Sequence, residues 1–274
     1  MIAALVVDLD GLRELPADTL VMGRALAAYP LMAAQACKRI KRIYLVSDAP
    51  PVKAVALQYE AIIIDPPPGE SHPEPVGRAA HGWRFMKEDL KSEEPLELAA
   101  LLFTHAAAVT AETLDLGLDI MLADPKLDAA ATVTRSEFCH PRFAFWEAAE
   151  NRLEPLLSSA PWPREARSPE GGRSPLPEGA WPQEAWFPDL AGAILRPRCL
   201  DALRVDLAPT RPAAGYPWLG TRVWPLKREG TSPVDHGWQV PQLEHWLKEN
   251  GVVDISTVME PQPKPQPMPR QDRR

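Results

Sequence analysis

Residues 23–61 read GRALAAYPLMAAQACKRIKRIYLVSDAPPVKAVALQYEA, and they alternate helix, strand and helix signals. Leu26, Tyr29, Leu31, Ala33, Ala34 and Cys37 form a helical stripe. Ile43-Tyr44-Leu45-Val46 is a short run of strand formers stopped by Ser47-Asp48. Pro50-Pro51 then stand where a new helix begins, because proline is tolerated only in the first turn. Val52, Val55, Ala56 and Tyr59 recur at steps of three and four residues or one turn, giving that helix a buried face. Ile62-Ile63-Ile64 is the next buried strand.

The same alternation extends in both directions. AALVV at 3–7 is a first strand, and LELAALLF at 96–103 is another. Between them, residues 77–90 form an amphipathic helix with Trp83 and Met86 facing inward. A helix over 111–123 leads to the strand AAATVTR at 129–135. A further strand is expected at 223–226, and a last helix runs through Leu247. Strands alternating with helices predict a three-layer α/β fold, a mainly parallel sheet with helices on both faces. In such sheets ligands bind beyond the carboxyl ends of the strands, so the segment from Asp8 to Pro16 is expected to line a site.

Composition narrows the function classes. The chain has 274 residues, 45% hydrophobic and 24% charged, as expected of a folded globular protein. A net charge of −7 argues against a nucleic-acid binder built on a basic surface. Cys37, Cys139 and Cys199 lack metal-ligand spacing and read as reduced thiols. No run approaches the length of a membrane span, and no basic segment precedes the first strand, so a cytoplasmic location is expected.

The quoted stretch resembles the cytidylyltransferases that activate sialic acids, related nonulosonic acids and Kdo, the CMP-sugar-acid synthetases. Their chains carry a segment like GKPLIAYTIEAA, a strand ending in STD and a helix ending in KYGA. GRALAAYPLMAA at 23–34 and VSDAPPVKAVALQYEA at 46–61 align without gaps, placing Asp48 on the family Asp. AETL at 111–114 matches the family's AEDI, and His140-Pro141 match a His-Pro pair near the sugar site. The resemblance implies a Rossmann-like nucleotidyltransferase fold with a projecting lobe of loops and strands. The implied reaction transfers CMP from CTP to a sugar acid and releases pyrophosphate, with Mg²⁺ carrying the triphosphate.

Carried over residue by residue, the resemblance assigns Gly11 and Arg13 to the phosphate loop. Arg13 and Asp10 become the candidate catalytic residues. Gly11, Arg13 and Asp8 are the candidate nucleotide contacts. His140, Gln183 and His105 are the candidate substrate contacts, and Asp8, Asp10 and Asp235 the candidate Mg²⁺ ligands. Several family positions differ. Leu9 replaces an Arg, Leu12 a Ser, Asp65 an Arg, Phe103 a Gln, Ala106 a Ser and Val109 an Arg. Gly237 and Gln239 fall where the family places its metal-binding acids, with Asp235 two residues upstream. About five charge-assisted contacts are missing, on the order of 5 kcal/mol at half value each, which is thousands-fold in rate. Either the metal has moved to Asp8, Asp10 and Asp235, or the chain is a non-catalytic relative acting as a binding or regulatory subunit. A third reading takes VVDLDG at 6–11 as the first motif of a haloacid-dehalogenase phosphatase, with Asp8 as nucleophile.

Residues 1–259 read as one domain. Within it, 151–190 form a lobe or insertion rich in proline and carrying Trp162, Trp181 and Trp186, whose composition excludes long helices and central strands. The resemblance implies a homodimer through this lobe. Residues 260–274 read as a disordered, proline-rich tail.

Overall fold

The computed structural model describes residues 1–9, 14–66, 75–92, 94–135, 145–148, 152–155, 186–201, 217–228 and 234–256. In chain order the first half comprises β1 (Ile2–Val7), β2 (Leu20–Val21), β3 (Arg24–Ala25), α1 (Ala28–Ala36), β4 (Arg42–Val46), α2 (Pro50–Leu57), β5 (Ile62–Ile64), α3 (Pro75–Asp89) and β6 (Leu98–Phe103). The second half comprises α4 (Ala111–Ala123), β7 (Ala129–Arg135), β8 (Phe145–Ala148), β9 (Arg152–Pro155), β10 (Trp186–Leu195), α5 (Pro197–Asp201), β11 (Val223–Arg228) and α6 (Val240–Glu249).

Seven strands make the main sheet in the order β11-β7-β10-β6-β1-β4-β5. All neighbours are parallel except β10, which runs antiparallel to both β6 and β7. The expectation of a mainly parallel, three-layer α/β sheet therefore holds. β1 is buried along its whole length because both of its faces are covered. Successive side chains point to opposite faces. Ala3, Leu5 and Val7 join Trp83 and Met86 of α3 on one side. Ile2, Ala4 and Val6 join Leu31 of α1, Val52 of α2 and Leu118 of α4 on the other. Gly82 lets α3 lie against the sheet, since a Cβ there would stand 2.4 Å from Val46 Cγ2 and 2.8 Å from Leu5 Cδ1.

Local chemistry sets the helix starts. Pro50 and Pro51 open α2, as read from the sequence. Thr110 caps α4, its hydroxyl accepting the Thr113 N–H at 3.2 Å. α6 packs apart from the main sheet layers, with Leu243 and Leu247 against Val21, Leu26 and Tyr29.

One expectation is corrected. The segment 151–190 was expected to exclude central strands, yet β10 begins at Trp186 and sits between β6 and β7. Pro188 is accommodated because the register with β7 breaks between Pro188 and Ala193, and Leu190 takes a φ of +53° at that bulge. Asp189 in the bulge is paired with Arg228 of β11, whose Nε and Nη2 donate to Asp189 Oδ2 at 3.1 and 2.8 Å. The Thr132 hydroxyl donates to Asp189 Oδ1 at 2.5 Å, and Arg228 Nη1 donates to the Ala108 carbonyl. This buried network joins β7, β10 and β11 to the loop that follows β6.

Candidate functional site

β4 and β6 flank β1 with Val46 and Phe103 both in register with Val7, so the three strands end together. The next residues are Asp8, Ser47 and Thr104, and all three are buried. The Ser47 hydroxyl donates to Asp8 Oδ2 at 2.6 Å, and the Thr104 hydroxyl donates to Asp8 Oδ1 at 3.1 Å. Each hydroxyl also accepts a backbone N–H, Ser47 from Ala49 at 3.1 Å and Thr104 from Leu9 at 3.4 Å. Asp8 thus ties three strand ends together at the mouth of the sheet. A charged group in such a position persists only when its oxygens are hydrogen-bonded.

His105 extends the network. Its Nδ1 stands 3.1 Å from the Thr104 hydroxyl, and its Nε2 donates to the Leu15 carbonyl at 2.7 Å. The His105 carbonyl accepts the Val234 N–H at 3.3 Å, and the Leu15 N–H donates to the Asp235 carbonyl at 3.1 Å. Three separate segments therefore meet at one end of the sheet: the one after β1, the one after β6 and the one entering α6. Gln239 fixes the last of them, its Oε1 accepting the N–H groups of Asp235 at 2.7 Å and His236 at 2.8 Å.

The structure brings Asp8, His105 and the Asp235 backbone into one connected network. Asp10, Gly11, Arg13, His140 and Gln183 lie outside the described residues. Among the described residues no three His, Cys, Asp or Glu side chains come together as a cation cradle. The loop after β6 is largely apolar and closed: Ala106, Ala107, Ala108 and Val109 are buried, as are Leu9 and Phe103. Asp8 has no exposed surface, and both of its oxygens receive hydroxyl protons. A phosphatase nucleophile needs an open line to phosphorus, so the haloacid-dehalogenase reading finds no geometry here.

Three participants were missed from the sequence. In the sequence Ser47 stands as the residue that stops a strand, and Thr104 directly follows the apolar run at 96–103. The signal that could have found them is a polar residue just past each of three strands that end in register. The third is Arg78 of α3, whose Nη1 donates to the Asp8 carbonyl at 3.1 Å and stands 3.6 Å from Asp48. It places a cation beside the β1 turn, on the helix that follows β5. Away from the mouth, burial pushes the Cys37 and Cys199 thiols up, so neither is poised as a nucleophile.

Solved structures provide the comparison. A CMP:2-keto-3-deoxy-manno-octonic acid synthetase complexed with CTP superposes with a TM-score of 0.56 at 12% identity, over 91% of this chain and 99% of that one. The chain shares with it a three-layer α/β fold built on a mostly parallel sheet. The 4-diphosphocytidyl-2C-methyl-D-erythritol synthase of Anaerococcus prevotii matches at a TM-score of 0.55 and 12% identity, over 90% of this chain and 98% of that one. At such identity the likeness is one of fold. No protein-family model matches the sequence, and no curated protein does. Among the described residues no helix is long and apolar enough to cross a membrane.

Proposed function

We propose that this chain is a cytidylyltransferase-like protein related to the enzymes that transfer CMP from CTP to a sugar acid of the sialic or nonulosonic type. In that reaction the anomeric hydroxyl attacks the α-phosphorus, the bond to the β-phosphate breaks and pyrophosphate leaves. The observation that carries the reading is the convergence of the segments after β1, after β6 and before α6 at one end of the sheet, joined through His105, Leu15 and Asp235. Ligands of open α/β sheets bind at this end. Arg13 and Asp10 are the residues proposed for catalysis, with Arg13 balancing phosphate charge. Gly11 belongs to the same nucleotide loop, His140 and Gln183 are proposed for the sugar acid, and Mg²⁺ is the proposed cofactor. A homodimer through residues 151–190 in the cytoplasm completes the reading.

A second reading is favoured by the enclosure of Asp8 and the apolar closure of Ala106–Val109. In it the chain is a non-catalytic relative that retains the fold as a binding or regulatory subunit.

Calorimetric titration with CTP and CMP, with and without Mg²⁺, separates the two. Mg²⁺-dependent CTP binding, followed by pyrophosphate release with a sugar acid, supports transfer. Nucleotide binding without turnover across sialic, nonulosonic and Kdo-type acids supports the subunit. No binding of either nucleotide at millimolar concentration refutes the enzyme reading.

A further inference from the structure

Trp238 is 74% exposed, an unusual state for the largest apolar side chain. It is not loosely placed. Its ring stacks on His236, with centroids 5.9 Å apart and planes within 15°. His236 is held in turn by Glu14, whose Oε2 lies 2.5 Å from His236 Nδ1. The turn that carries both rings, Gly237–Gln239, is anchored by Gln239 on the Asp235 and His236 N–H groups. The indole is thus held near-parallel and offset beside an anchored imidazole, and its high exposure leaves ring surface open. The platform stands at the mouth of the sheet. Glu14 belongs to the segment that follows β1, and the next residue, Leu15, is bonded to the Asp235 carbonyl.

We propose that Trp238 is the stacking platform for the pyrimidine ring of a cytidine nucleotide, with His236 and Glu14 as the residues that position it. This rests on the cytidine-nucleotide reading above. A planar ring added to the His236–Trp238 pair continues an existing stack at near-parallel orientation. It also removes from water a surface that otherwise has no cover among the described residues. Stacking is tolerant of ring identity, so the platform supplies affinity for the base, while the groups nearer the strand ends meet the phosphates.

The test is calorimetric titration of the full chain and of the Trp238→Ala and Trp238→Phe variants with CMP and with ribose 5-phosphate, which lacks the base. Because Trp238 is so exposed, truncation leaves the core untouched, and circular dichroism checks this. Trp238→Ala should weaken CMP binding about 5- to 150-fold, the usual range for loss of one base–aromatic stack. Trp238→Phe should retain most of the affinity, and ribose 5-phosphate should bind all three proteins alike. CMP affinity unchanged in Trp238→Ala, or equal losses for CMP and ribose 5-phosphate, overturns the platform while leaving the nucleotide reading intact. Failure of the unaltered chain to bind CMP or CTP overturns both.

Discussion

Replacing Asp8 by Asn separates a structural tie from a metal ligand. The Asp8 carboxylate receives two hydroxyl bonds, from Ser47 at 2.6 Å and Thr104 at 3.1 Å, in a position with no solvent exposure. Hydrogen bonds to a charged group contribute about 1.5–3 kcal/mol each. Asn keeps one oxygen, so one bond survives as a neutral contact of about 1 kcal/mol, and the amide presents N–H to the other hydroxyl. The expected loss is about 3 kcal/mol. For a chain of this length about 1 kcal/mol moves the melting midpoint by about 2 °C, so Asp8→Asn should melt about 6 °C lower. Differential scanning calorimetry without nucleotide or divalent cation reads this directly. A shift below about 1 °C there would refute the tie. A deficit that appears only in the presence of Mg²⁺ and CTP would instead assign Asp8 to ligand binding.

Asp189→Ala should cost about 3–5 kcal/mol in urea unfolding, because it strands the Arg228 guanidinium in a buried site. Replacing both members of the pair with apolar residues should recover much of that loss, and a double-mutant cycle measures the recovery. Gly220→Ala should destabilise by about 2 kcal/mol, since Gly220 has a φ of +81° and an added Cβ would stand 2.5 Å from Asp128 Cβ; a urea midpoint equal to that of the parent chain would contradict this. Burial alone would raise the Asp128 carboxyl, but the Thr221 N–H, the Arg198 guanidinium and the Arg222 N–H outweigh it and hold the group at about 2. A carboxyl depressed on folding stabilises at pH values above its ordinary range and loses that contribution as pH falls. Stability in Asp128→Asn should therefore match the parent chain near pH 2, and above pH 4 fall below it by about 1 kcal/mol after allowance for solvent screening.

Much of the architecture was legible along the chain because it is written locally. The apolar runs expected as strands at 3–7, 43–46, 62–64 and 96–103 carry β1, β4, β5 and β6, the last opening two residues late at Leu98, and the proline start of α2 and the bounds of α4 fall where the residue pattern puts them. Helical faces follow from periodicity, and buried parallel strands from short apolar runs of strand formers closed by turn residues. The candidate site was less legible. Asp8 is a candidate nucleotide contact and Mg²⁺ ligand, and His105 a candidate substrate contact, but the places they take depend on Ser47 and Thr104, 39 and 96 residues away from Asp8. That pairing exists only because β1, β4 and β6 end in register, a relation between strands that no local pattern encodes. The central place of β10 was hidden for a similar reason. Pro188 argues against a strand until a bulge, closed by Asp189 on Arg228, removes the need for its missing N–H. Sequence by itself thus determined the layers of the fold and the order of helix and strand along the chain. Only the tertiary structure decided that Asp8 is enclosed by hydroxyls, that Arg78 stands beside it, and that Trp238 is held open at the mouth, because each depends on distances between segments far apart in the chain.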